Sequence, residues 1–566
     1  MLRFLLLIMA CAAGIVFYTP RDAACKNYYL DNTWKGSESD GTIKNPWKSV
    51  DQVNETTFLP GDSILLKRGS PLRYKKTSKN PDRGPTQQTR HTFGVLSPKG
   101  SGTESAPIVL GAYGNGAPPY IDAEGDTATA AVLLYNQDNW IIRDLEISNN
   151  ATKESYRWGI LVYFHSGGDR LYRNISIINN HVHDVFASFH RTAPPNMYCT
   201  GGIYVWVQTD PIKSFDPKTT NPGNRLHNVL IQGNRVENIT GEGIFFRGES
   251  VWNNMAEALS WETERVMNWN NLSTGVVIRK NIVTKTCDGI EYIGTDNALV
   301  EYNVVDSAGW NGVWNGGKDT VTGAVCAIWP SCTRGGITQF NEVMHTRKLP
   351  GDGYAFNRDL VADDTLFIQY NYSHDNMGGF FMEVQPVPTN DGPTVPATVI
   401  RYNISSNDGL GDNRSKSFTL FLQRGNNLFH NNVFYTSGAI QFVTLPDKGR
   451  SPFPNRFYNN IFYGAAGRWD VNSYILAEYD YNCYWGGLTP PKPAGGRTID
   501  AVKITANPLF VGPLSKDRSR VTADAFRLRP QSPCINAGKI INNSGLSSFW
   551  KSPLRGRIDI GADEVR

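Results

Sequence analysis

One phrase recurs along the chain and limits what it can fold into: a short strand with alternating apolar residues, an Asn, a second short strand, a Gly-containing turn and a third strand. Val229-Leu-Ile-Gln-Gly-Asn234-Arg-Val is followed by Gly241-Glu-Gly-Ile-Phe-Phe, and Val276-Val-Ile-Arg-Lys-Asn281-Ile-Val by Cys287-Asp-Gly-Ile-Glu-Tyr. The phrase returns around Asn180, Asn303, Asn341, Asn371, Asn403, Asn432 and Asn460, and from Asn234 onward the spacings are 47, 22, 38, 30, 32, 29 and 28 residues. Apolar residues at alternate positions suit strands and fit α-helical repeats poorly. A coil of two or three short strands cannot bury its own inward side chains. Successive coils must therefore stack at about 4.8 Å and share one core. An Asn at the same corner of every coil is expected to pass a side-chain amide hydrogen bond to the next coil, forming a ladder. These asparagines are read as structural and are left out of the search for chemistry.

Both ends carry further signatures. At the front stand Tyr28-Tyr-Leu-Asp31, Asn45-Pro-Trp-Lys48, Pro60-Gly-Asp-Ser-Ile-Leu-Leu-Lys-Arg-Gly69 and Ala106-Pro-Ile-Val-Leu-Gly-Ala-Tyr-Gly114; at the back stand Ala506-Asn-Pro-Leu-Phe510, Ser532-Pro-Cys-Ile-Asn-Ala-Gly538 and Asp559-Ile-Gly-Ala-Asp-Glu564. With the repeat, these segments resemble the opening and closing parts of the right-handed parallel β-helix superfamily, the pectate-lyase-like fold, over nearly the whole mature chain. The resemblance implies an all-β, right-handed parallel β-helix with capping segments at both ends, which would shield strand edges from other chains. The expected organisation is a signal peptide at 1–24, an N-terminal cap and first coils at 25–125, the β-helix at 126–475 and a closing segment at 476–566. The superfamily includes polysaccharide lyases, glycoside hydrolases, epimerases and non-catalytic surface proteins, so the fold does not decide the activity.

The apolar run from Phe4 to Tyr18, followed by Ala23-Ala24, suits a secretion signal and is short for a membrane span of about 20 residues. A secreted, extracellular protein with no membrane attachment in its mature form is expected. Beyond Cys11 lie seven cysteines, an odd number, with Cys326 and Cys332 the expected local disulfide. No CxxC or Cys/His spacing suggests a structural zinc site. Nine N-x-[ST] sequons offer glycosylation positions. A net charge of +4 with no basic run argues against nucleic acid as a partner. A monomer is expected.

In this superfamily substrate usually lies along one face, on the strand after the Gly-containing turn. Here Glu242-Gly, Asp288-Gly, Asn311-Gly, Asp352-Gly and Met377-Gly occupy that turn. Acid-Gly is also an ordinary turn dipeptide, because Asp bonds to its own backbone and Gly takes positive φ. Alternation along the following strand sends Ile244, Phe246, Ile290, Tyr292, Val313 and Phe356 inward and Arg247, Glu291, Trp314 and Asn357 outward. The candidate catalytic residues are Asp288, Glu291, Asp352, Asp359, Arg247 and His374. The candidate substrate-binding residues are Trp310, Trp314, Glu383 and Arg358, sharing that surface, with Trp252 and Trp329 nearby. Sugar rings stack on such flat apolar faces. Acids one or two coils apart bracket the carboxyl separations of retaining and inverting glycosidases. A lyase would instead use a Lys or Arg base, with Arg247, Lys318, Arg334 and Arg358 available, and a cation such as calcium beside Asp363 and Asp364. No metal ligand set is assigned and no cofactor is required otherwise.

The expected function is a secreted enzyme acting on polysaccharide, a glycoside hydrolase or a lyase, that uses acids on one β-helix face. A non-catalytic glycan-binding or cell-wall protein is the alternative, and an epimerase is a third reading.

Overall fold

The computed structural model describes residues 25–75, 93–126, 129–188, 197–209, 223–248, 271–310, 325–348, 352–384, 397–410, 418–422, 426–444, 454–468, 477–488, 490, 500–512, 514, 520–542 and 544–565. The signal segment, Trp252, Trp314 and Lys318 lie outside them, as does most of the Gly/Pro-rich stretch after Gly486.

Every strand pairing between neighbouring coils is parallel, and the pairings resolve into three stacks. The first runs through Trp140–Arg143, Leu171–Ile178, Arg225–Gln232 and Ser273–Arg279. The second runs through Glu146–Asn149, His181–Val185, Arg235–Ile239 and Ile282–Thr286. The third runs through Arg157–Ser166, Gly201–Thr209, Glu242–Arg247, Ile290–Ile293, Cys326–Gln339, Tyr354–Gln369 and Gly379–Val384. The chain is thus a parallel β-helix, as its repeat required.

Register aligns the core. On the first stack Ile142, Ile177, Ile231, Ile278, Val300, Thr338, Ile368, Ile400, Phe429, Phe457 and Tyr479 follow one another coil by coil. Burial of each large apolar side chain in such a row contributes about 1.5–3 kcal/mol. The single polar member, Thr338, is satisfied by the hydroxyl of Tyr292 at 2.8 Å. Toward the C-terminal end the row becomes a stack of rings, Phe429 on Phe457 on Tyr479, at centroid separations of 4.7 and 4.8 Å.

At the corner between the first two stacks the expected ladder is present. Each Nδ2 donates to the Oδ1 of the next coil from Asn180 through Asn234, Asn281, Asn303, Asn341, Asn371, Asn403, Asn432 and Asn460 to Asn482. Asp500 closes it, accepting from Asn482 at 2.8 Å, because a carboxylate has no N–H to pass on.

One expectation about the covalent frame changes. No disulfide joins Cys326 and Cys332, which lie six residues apart on one strand. A strand rises about 3.3 Å per residue, whereas a disulfide needs its Cα atoms within about 7 Å, so this pair cannot close. The thiols that meet are the buried Cys483 and Cys534, which join the last coil to the closing segment. That segment lies along the flank of the second stack. Its Phe510, Phe526, Leu528, Phe549 and Ile560 pack on Tyr372, Ile404, Val433 and Ile461 from successive coils. At the front, Asn27–Leu30 pairs with Ser63–Lys67, and Val50 and Val53 of a capped one-turn helix, Val50–Glu55, reach the common core.

Candidate active site

The third stack has an inner and an outer side. Ile244, Phe246, Ile290, Tyr292 and Phe356 belong to the interior core, as alternation required. Phe245, Tyr204, Trp206 and Tyr163 form a separate cluster on the outer side. Val313 lies outside the described residues.

Three rows cross that outer side from coil to coil. The first lies at the turn that opens each strand, ahead of the alternating residues: Gly201 pairs with Glu242, the Gly243 N–H donates to the Asp288 carbonyl, and Cys326 pairs with Tyr354. The second carries Tyr204, Phe245, Glu291, Trp329 and Asn357, and the third Trp206, Arg247, Ile293, Ser331 and Asp359. Glu242 and Asp288 therefore stand on adjacent coils at the strand spacing of about 4.8 Å. Gly201 makes room one coil below, since a Cβ there would come within 3.1 Å of the Glu242 Cβ.

The acids are buried and press on one another. Glu242 and Asp288 are fully buried, and Glu291 is 1% exposed. Burial, then the charges of Asp288 and Glu291, pushes the Glu242 carboxyl far above the carboxylate range. Burial, then Asp288, does the same to Glu291, with Asp359 adding to the effect and Arg247 opposing it. Desolvation and crowding by like charge both favour the protonated acid. Asp288 Oδ1 accepts the backbone N–H of Cys326 at 2.7 Å, an anchor that holds it in its turn.

Arg247 faces the acids but is committed on its far side. Its Nη1 donates to the Tyr198 carbonyl at 3.1 Å and the Tyr204 hydroxyl at 3.3 Å, and its guanidinium lies 4.7 Å from the Trp206 ring centre. It is a fixed positive charge and not a base. Asp352 and Asp359 are partly exposed, Asp352 just before the strand Tyr354–Gln369 and Asp359 within it. Asp352 and Gly353 both take left-handed backbone, φ 49° and 81°, which turns the chain into that strand.

A group of polar atoms on this side is both buried and without a hydrogen-bond partner among the described residues: both carboxyl oxygens of Glu242, Oε2 of Glu291, Nε1 of Trp329 and Oδ1 of Asn357. A buried polar atom left unpaired costs about 1–3 kcal/mol. Several on one surface form a set of donors and acceptors suited to a polyhydroxylated ligand.

Asp288, Glu291, Arg247 and Asp359 thus meet on one outer face, with Asp352 at its rim. Other candidates sit elsewhere. Arg358 pairs in register with Glu383, and each follows the inward-facing residue by two, Phe356 and Phe381. Both are buried, Arg358 Nη1 donating to Glu383 Oε1 at 3.1 Å, while Asn427 Nδ2 donates to the other Glu383 oxygen at 3.1 Å. They form an interior ion pair and cannot touch a substrate on the face. His374 lies on the second stack, buried beside Asp375 and Glu342, whose charges outweigh burial and raise its pKa to about 9. It does not reach the acids. The Trp310 ring is taken up by cations from the coils before and after, Lys285 at 5.5 Å and Arg347 at 4.5 Å. Arg334 is ion-paired with Asp296.

Sequence reasoning treated Glu242 as a turn residue and passed over Cys199 and Tyr204, which neighbour Arg247. The signal for Glu242 was available: it occupies in its coil the place Asp288 occupies in the next.

No protein-family model matches the chain, and no curated protein matches it in sequence. Among solved structures the chain is similar to the GH136 lacto-N-biosidase from Eubacterium ramulus. For the selenomethionine derivative the TM-score is 0.56 at 24% identity, over 80% of this chain and 67% of that one. The native protein gives the same score and identity over 76% and 67%. A pectate lyase matches over 96% of both chains, at 14% identity and a TM-score of 0.32. The likeness to the lacto-N-biosidase is one of fold.

Proposed function

We propose that the protein is a secreted glycoside hydrolase that cleaves its substrate on the outer face carrying Glu242, Asp288, Glu291 and Asp359. The observation that carries this reading is the convergence there of buried, mutually coupled carboxyls with unpaired polar atoms beside Trp329. Glycoside hydrolysis needs an acid held protonated to donate to the leaving oxygen and a second carboxylate to attack the anomeric carbon or activate water. Glu291, with its raised pKa, fits the acid. Asp359 or Asp352, which solvent reaches, fits the second role. Trp329 lies next to Glu291 in register, and its buried indole N–H, without a hydrogen-bond partner among the described residues, is a donor facing that group. A lyase reading is less well served, because the arginines it would use are held: Arg247 on Trp206, Arg334 on Asp296 and Arg358 in the interior. The fold is shared with a lacto-N-biosidase, so lacto-N-biosides are the first substrates to try.

The test is a panel of oligosaccharides, polysaccharides and aryl glycosides, read separately for new reducing ends and for unsaturated-uronate absorbance. Reducing ends alone are expected. Growth of both signals would replace hydrolysis by lysis, and silence across the panel, with and without calcium, would leave a glycan-binding protein. Glu291→Gln is expected to lose about 10²–10⁴-fold in kcat/KM. An acid must be protonated to act, so wild-type kcat/KM falls as pH rises through the raised Glu291 value, well above the ordinary value of about 4.3. That limb should vanish in the variant. Full activity in Asp288→Asn, Asp352→Asn and Asp359→Asn alike would remove the site assignment.

A further inference from the structure

On the second stack, away from the acidic face, Glu146, His181 and His183 each bring one ligand atom within 4.8 Å of the others. His181 and His183 are two residues apart on the strand His181–Val185, so they share a side, while Val182 between them enters the core. Glu146 lies opposite His181 on the coil before, and Glu237 opposite His183 on the coil after. The two imidazole rings are 4.5 Å apart between centres. Nε2 of His183 faces Glu146 Oε1 at 3.3 Å, and Nε2 of His181 faces Glu237 Oε1 at 2.7 Å.

The outer contacts match what a metal-binding histidine needs. Nδ1 of His183 donates to Asp184 Oδ2 at 2.7 Å, and Asn238 Nδ2 steadies the other Asp184 oxygen at 3.2 Å. A carboxylate on Nδ1 fixes the tautomer and leaves Nε2 free to coordinate. Glu237 is gripped by Arg235 at 3.0 and 2.7 Å through both of its carboxylate oxygens, which leaves Glu146 as the carboxylate free to turn toward an ion. The three side chains are partly open to solvent, at 29%, 35% and 14% exposed for Glu146, His181 and His183, so an ion has a way in.

We propose that Glu146, His181 and His183 form a binding site for a zinc-class divalent cation, with Asp184 as the positioning residue of His183 and water completing the shell. Two imidazoles and a carboxylate are borderline ligands that zinc accepts readily, whereas calcium and magnesium prefer all-oxygen sets. Glu146 Oε1 and His183 Nε2 already stand 3.3 Å apart, and zinc bonds of about 2.0–2.2 Å require the His181 imidazole to draw toward them and give up its contact with Glu237. Because Glu146 and the histidines belong to different coils, the ion would tie those coils together. The sequence carried the motif as His181-Val-His183, with its carboxylate 35 residues earlier.

The experiment uses the full chain, stripped with chelator, and zinc chloride as the titrant in calorimetry, with thermal unfolding alongside. Wild type is expected to bind zinc at pH 7.5 and to unfold at higher temperature when loaded. His181→Gln and His183→Gln should abolish this binding while keeping the metal-free unfolding temperature. Asp184→Asn should weaken it about 10–100-fold. His345→Gln, in the separate group of His345, His374 and Asp375, should leave it intact. Cobalt(II) on the wild type should give d–d bands without a thiolate charge-transfer band, a readout that stands even where a histidine variant fails to fold. Absence of zinc heat and of any zinc-dependent shift in wild type would overturn the proposal, as would unchanged binding in His181→Gln and His183→Gln.

Discussion

Glu291 and Glu383 share a side chain and end in opposite environments, because one step of strand parity decides which side of the sheet a residue faces. Glu291 shares its row with Trp329 and Asn357 on the outside. Glu383 pairs with Arg358, one position further along the strand, and both turn inside. Alternation counted from Phe356 already places Arg358 inward; its charge argued for the surface, and the charge misled. In the interior a lone charge is untenable, so each ion is matched by the other, and Glu383 also accepts from Asn427. Glu383→Ala is expected to destabilise the fold by about 3–5 kcal/mol, because it leaves Arg358 buried and uncompensated. The double variant Arg358→Met, Glu383→Leu should recover much of that loss. Chemical denaturation of the two variants beside wild type measures both effects, and equal losses would mean that the pair is not coupled.

Within a coil, the corner asparagine is the element that sets the register of stacking. Asn341 takes part in bonds to both neighbours: it donates to Asn371 Oδ1 and to the Val300 carbonyl, each at 3.0 Å, and accepts from the backbone and side chain of Asn303 at 2.9 and 3.0 Å. Its replacement by Ala would leave buried donors of Asn303 without an acceptor, at a cost of about 2–4 kcal/mol. Coils contact only their neighbours, so the damage should be local. Hydrogen exchange of Asn341→Ala is expected to show lost protection in the coils holding Asn303 and Asn371 first, with the coils near Asn180 unchanged. The ladder was legible in the sequence because it repeats in every coil. The neighbouring polar interior was not, since Asp408, which accepts from Ser373 and Ser405 at 2.6 and 2.7 Å, occurs outside any repeat.

For the whole molecule, the closing segment matters most for stability at the C-terminal end. It is stitched along the flank through Asn431 to the Asp559 carbonyl, Gly561 to the Asn459 carbonyl and Lys539 to Asp480. Ending the chain after Ala506 would strip the cover from Ile404, Val433 and Ile461, and burial of each such side chain contributes about 1.5–3 kcal/mol. The truncated protein is expected to associate on size-exclusion chromatography and to unfold at a lower temperature; a monomer of unchanged stability would contradict this packing. By itself the sequence determined the coil, the inward rows and the asparagine ladder, since each is written locally as a period-two pattern or a motif repeated once per coil. Tertiary structure alone decided that Arg358 and Glu383 pair in the interior, that Glu146 reaches His181 and His183, and that the closing segment lies along a flank. The reason is the unequal length of the coils: stacking turns separations of tens of residues into about 4.8 Å, and the register that does so is set by pairing between coils, which no local stretch of sequence records.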